Sequence, residues 1–159
     1  MLAIVILLVV LACGPPREAD KPAVDIPSLV NKEPPELDTI LGKPVEIIAI
    51  TDGPDAPGEY RDYKVWNNRA VLTIHMYRGK AVYFWTQFDP SIKELNASDL
   101  ARVFGFDVSK SATDRRIPGV TAWLGTFGGQ NFKDVRAIEG LSEIGFVEFR
   151  ATPVDCPIC

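Results

Sequence analysis

The chain has 159 residues and a formal net charge of −4, with acidic and basic side chains spread along it rather than gathered in blocks. A nucleic-acid surface would need a clustered basic patch, so that class is set aside. With His75 as its single histidine, a histidine-rich metal centre or a catalytic triad would have to be built around that one residue.

Leu2 to Ala12 is an unbroken apolar run that stops at Cys13-Gly14-Pro15-Pro16. A membrane-crossing helix needs about 20 apolar residues. This shorter run has the length of the apolar centre of a secretory signal peptide, with the small Ala12 in place for cleavage. Val10-Leu11-Ala12-Cys13 resembles the lipobox of bacterial lipoproteins. That resemblance implies cleavage before Cys13 and a diacylglycerol group on its thiol, which would attach the chain to a membrane. Gly14 after the cysteine, rather than Asp, implies an outer-membrane address facing the periplasm where the host envelope has two membranes. Residues 1–12 then form the signal and 13–26 a polar, proline-rich tether. At about 3 Å per residue such a tether reaches some 30–40 Å.

A single domain is expected over 27–153. Pro34-Pro35-Glu36 opens a helix, Leu37, Ile40 and Leu41 follow at helical spacing, and Gly42 ends it. Pro44 cannot continue the helix, and Val45 to Ile50 reads as a strand. After the loop TDGPDAPG come three strands, YRDYKVW, RAVLTIHMY and KAVYFWTQF, joined at Asn67-Asn68 and Arg78-Gly79. That register sets Tyr63 and Val65 beside Leu72 and Ala70, and Ile74 and Leu72 beside Tyr83 and Trp85. These residues share one face, expected to be the core face.

The pattern returns 63 residues later. Glu36 to Val45 aligns with Asp99 to Val108, and AVYFWTQFDP with IGFVEFRATP. Asn96 is placed to cap the second helix, with Asp99 at the third helical position. The expected fold is therefore α+β: two αββββ repeats, 27–90 and 91–153, with short helices packed on antiparallel sheet. The corner ELDTILGKPVEI resembles the SmpA/OmlA (BamE) outer-membrane lipoproteins, and two such units in tandem resemble the β-lactamase inhibitory protein architecture. That resemblance implies a non-enzymatic scaffold or a clamp on a partner protein, and carries no site residue with it.

No catalytic set, metal site or cofactor is expected. The sequence holds no nucleophile elbow, zinc-protease helix or phosphate loop. Gly125-Thr126-Phe127-Gly128-Gly129 reads as a hairpin loop. His75 falls on the outer sheet face, solvent-facing or packed there. That face is expected to carry Tyr60, Trp66, Arg69, His75 and Phe84, with Trp66 and Tyr60 as anchors and Arg69 over the Trp66 ring. An aromatic face of this kind suits a protein partner. Its alternative use is as core beneath the second repeat. In the tail 154–159, Cys156 and Cys159 can form a terminal disulfide, which suits an extracytoplasmic compartment. The rival readings are a redox or metal-handling envelope protein working through this cysteine pair and, last, a hydrolase around His75.

Overall fold

The computed structural model describes residues 22–89, 95–139 and 146–159. The signal run, Cys13 and the tether up to residue 21 lie outside the described residues. The packed part begins earlier than composition implied, because Val24 and Ile26 are buried and the Ile26 N–H donates to the Phe104 carbonyl.

The elements run in order α1 (Ile26–Leu29), α2 (Pro34–Leu41), β1 (Glu46–Ile50), β2 (Gly58–Val65), β3 (Ala70–Tyr77), β4 (Lys80–Phe88), α3 (Ala97–Val103), β5 (Thr113–Asp114), β6 (Val120–Phe127), β7 (Gln130–Glu139) and β8 (Phe146–Pro153). The strands make one eight-stranded sheet in the order β1-β2-β3-β4-β8-β7-β6-β5, with every neighbouring pair antiparallel. The last strand of each half thus meets at the middle. Two short αββββ units fuse into a single α+β layer pair, where each unit alone would leave an unpaired strand edge at that seam.

Local chemistry explains the corners. Proline at the first helical positions opens α2, and a capping box between Glu33 and Glu36 satisfies its first N–H groups. Asn96 caps α3 by accepting from the Asp99 N–H at 2.9 Å. Both helices give way at a glycine with φ of +84°, Gly42 and Gly105. A side chain there would be strained, so the same residue recurs where the same turn recurs.

The core lies between the helices and one sheet face. Leu37, Leu100 and Phe104 meet Tyr63, Leu72, Ile74, Phe84, Trp123, Val135 and Phe149, all at most 1% exposed. Between β2 and β3 the register is Tyr63 opposite Leu72 and Val65 opposite Ala70. The turn is wider than the two residues expected: Trp66, Asn67 and Asn68 all have positive φ and Arg69 closes the loop.

The β3–β4 pairing departs from expectation. Arg78-Gly79 is a two-residue turn with positive φ at both positions, and Met76 pairs with Ala81. The register then shifts, so that His75 faces Tyr83, Ile74 faces Phe84 and Leu72 faces Thr86. Val82 is the extra residue of a β-bulge, and one extra residue reverses every later side chain of the strand. Phe84 and Thr86 therefore enter the core, both at 0% exposure, and Tyr83 and Trp85 turn to the other face.

Candidate binding surface

No described helix packs on the second sheet face, and its residues follow from the register. One cross-strand row runs Ile48, Tyr60, His75, Tyr83. The next runs Glu46, Asp62, Thr73, Trp85, Arg150, Arg136, Ala122 and Asp114. Tyr60, Tyr83, Trp85, Arg136 and Arg150 are half-buried there, although among the described residues no helix covers them.

The rows are internally connected. The Tyr60 and His75 rings lie 4.6 Å apart between centroids, tilted by 47°. The Arg150 guanidinium sits over the Trp85 ring, 5.8 Å from its centroid, within cation–π reach. Arg150 also pairs with Glu148, and Arg136 with Asp134, each two residues along its own strand. These acids offset the like charges that Arg150 and Arg136 place directly opposite each other. Trp85 Nε1, Arg136 Nε and His75 Nε2 are buried with no hydrogen-bond partner among the described residues.

His75 is only 3% exposed despite lying on the uncovered face. The loop that ends at Gly58 closes over it, and burial holds the imidazole below its ordinary pKa, with Asp55 opposing. Tyr83 is pushed up by burial, with Arg150 opposing. Gly58 is required by space, not by φ. A Cβ there would stand 2.6 Å from the Met76 carbonyl oxygen, 2.7 Å from that of Asp55 and 3.4 Å from His75 Nε2. Gly58→Ala is expected to destabilise the chain by about 1–3 kcal/mol, the usual size for overpacking. A thermal melt checks it, with Gly53→Ala not a suitable control because Gly53 has φ of +92°.

Of the sequence-named residues, Tyr60 and His75 come together on this face. Phe84 is not there: the Val82 bulge turns it into the core, so its place in the binding set is corrected. Trp66 is not on the face either. It leaves the end of β2 into the turn and packs edge-on to Phe104, 6.5 Å between centroids. Arg69 lies over its ring at 4.6 Å, so this cation–π pair caps the end of the core instead of an interface. Sequence reasoning missed Tyr83, Trp85, Arg136 and Arg150. Cys13 lies outside the described residues.

Cys156 and Cys159 are joined in a disulfide, with Cα atoms 5.4 Å apart. Sulfurs bonded to each other are not thiolate ligands, which argues against a metal-holding dithiol. The pair lies in the turns that follow β8 and not at the start of a helix of its own segment. Among the described residues no group of three or more His, Cys, Asp and Glu side chains is arranged to hold a metal ion.

No family model matches the sequence, and no curated protein matches it. Among solved structures, a cysteine-rich secretory protein from Staphylococcus aureus subsp. aureus Mu50 matches with a TM-score of 0.42 at 10% identity, over 86% of this chain and 49% of that one. An extracellular protein containing an SCP domain from Bacillus anthracis str. Ames matches with a TM-score of 0.41 at 12% identity, over 82% of this chain and 46% of that one. The chain spans about half the length of the structures it matches. At these scores the likeness assigns this chain no activity. These two structures are a secretory and an extracellular protein, not SmpA/OmlA (BamE) lipoproteins or β-lactamase inhibitory protein. The resemblance to those families is corrected accordingly, and so is the classification as an outer-membrane lipoprotein. The physical reason is that the LGKP corner is local chemistry: a helix stopped by a positive-φ glycine and a following proline needs that sequence in any fold.

Proposed function

We propose that the chain is a non-enzymatic binding module that works outside the cytoplasm, held at a membrane by lipid on Cys13, and that a protein partner docks on its open sheet face. One observation carries this reading. The face left uncovered by the described helices carries half-buried Tyr60, Tyr83 and Trp85 among its charged residues, the mix of aromatic and arginine side chains that interfaces concentrate. Trp85, with Arg150 over it, is the anchor, since interface energy concentrates in aromatic and arginine side chains.

The test is affinity capture from native membranes with the full chain. Trp85→Ala should lose the captured partner while keeping a melting temperature within a few degrees of wild type. Thr73→Arg, which sets a long side chain beside Trp85 in the same row, should block capture too. Ile117→Ala, 60% exposed and outside the sheet, should leave capture intact. Capture that survives both face variants would sink the proposal.

A further inference from the structure

The two edges of the sheet are built differently. β5, at one end, has two residues and is followed by Arg115 and Arg116, with Arg116 forked onto Asp114 at 2.6–3.0 Å. A short, charged edge is the usual protection against pairing with another chain. β1, at the other end, is five residues long and reads EIIAI. It has no proline, lysine or bulge. Val45, Ile47 and Ile48 are 56, 50 and 49% exposed, so apolar side chains stand out on both faces. Among the described residues, the backbone hydrogen bonds of β1 all go to β2. Its far side presents unpaired N–H and C=O groups, and the chemistry that satisfies such a row is another extended strand.

We infer that β1 is a dimerisation edge, pairing antiparallel with β1 of a second copy of this chain. A two-fold axis perpendicular to the sheet brings two edges together with their faces preserved. Residues opposite each other must then come from the same face, which restricts the register. Only the register centred on Ile48 gives all five residues of β1 a partner. Ile48 faces its own copy, Ile47 faces Ala49, and Glu46 faces Ile50. No like charges meet, and Val45 opposite Thr51 lengthens the ladder. Shifting the centre to Ala49 would set Glu46 opposite Asp52, a repulsive pair. The second copy is thus favoured on two grounds. The edge is self-complementary in a single full-length register, and the charged residue within it faces an isoleucine. The result is a continuous sheet across both copies, with the two open faces side by side. This inference does not depend on what docks on those faces.

Cysteine cross-linking in the full chain, purified in detergent, tests the pairing. Directly opposed residues of an antiparallel pair have Cα atoms about 4.5–5.5 Å apart, which a disulfide spans. Ile48→Cys should give a band at twice the chain mass under mild oxidation, and reductant should remove it. Lys64→Cys, exposed on β2, should not. Ile47→Cys alone should cross-link poorly, and Ile47→Cys with Ala49→Cys should restore the band. In sedimentation, wild type should run as a dimer, and Ile48→Lys as a monomer with unchanged circular dichroism. A monomeric wild type, equal cross-linking from Lys64→Cys, or a cross-link of Ile48→Cys only to a chain of different mass would each overturn the inference.

Discussion

Phe104→Ala is expected to lower the unfolding free energy by about 3–5 kcal/mol, the range for emptying a buried aromatic site. Phe104 is fully buried where α3 ends. Its ring stacks on Phe149 at 5.2 Å, lies 5.7 Å from Phe88 and takes the edge of Trp66 at 6.5 Å. Those three neighbours sit on β8, on β4 and in the β2–β3 turn. The ring therefore joins the second helix unit to strands of both halves, across the β4–β8 seam. Each neighbour is fixed to a separate element, so the space left by truncation cannot close by one local shift. A loss of this size is a large share of the roughly 5–15 kcal/mol that keeps a domain folded. Denaturant titration should show a lower midpoint with an unchanged slope. Ile40→Ala, at an exposed position on α2, should change stability by no more than about 0.5 kcal/mol. A Phe104→Ala loss below about 1 kcal/mol would show that the two units do not share this cluster.

The sequence made the elements legible where local chemistry decides them, and failed where one residue's packing decides. Helix starts and stops follow from Pro34, Asn96, Gly42 and Gly105, all readable without a partner. The two-repeat α+β architecture follows from their recurrence. The face assignment of β4 does not, because KAVYFWTQF is apolar or aromatic on both of its alternating sets. Val82 and Phe84 suit a core as well as Tyr83 and Trp85 do, so periodicity cannot choose between them. Only the bulge at Val82 chooses, and with it the identity of the binding residues changes. Thr86 shows the cost of that choice: its hydroxyl is buried in the core without a partner among the described residues. Arg136 and Arg150 were out of reach for a different reason. Arg150 meets Trp85 only because β4 pairs with β8, a contact between residues more than sixty positions apart, and Arg136 joins the row through β7 opposite Arg150, which no local spacing encodes. Strand alternation puts Trp66 on the outer face with Tyr60, Asp62 and Lys64, but its positive φ of 51° takes it out of the strand and onto the Phe104 ring at the end of the core. The edge strand β1 was visible as a strand, but its lack of a second neighbour is a property of the whole sheet order.

Asp38→Ala is expected to cost about 2–3 kcal/mol, through two donors left without their acceptor. Asp38, on α2, accepts from the Tyr63 hydroxyl at 2.8 Å and from the Arg61 guanidinium at 3.2 Å, and Arg61 also pairs with Glu59. Tyr63 is fully buried on the core face of β2. This cluster ties α2 to the sheet. Removing the carboxylate strands a buried hydroxyl and weakens the hold on a cation whose side chain is only 12% exposed. Asp38→Asn keeps an acceptor oxygen and should lose less. Tyr63→Phe removes the donor, so Asp38→Ala and Tyr63→Phe together should cost less than the sum of the two. The same phenol gives a pH signature. Burial first, then the bond to Asp38, pushes the Tyr63 pKa up to about 12 against the opposing Arg61. An unfolded tyrosine titrates near 10. Because the folded value is the higher one, this contribution is fully present below about pH 10 and is lost as pH rises from 10 towards 12. Alkaline unfolding of wild type should therefore show a steeper decline in that window than Tyr63→Phe, in which buried Tyr83 still contributes. Identical stability profiles of the two proteins between pH 9 and 12 would mean that the hydroxyl is not held by Asp38 in a buried site.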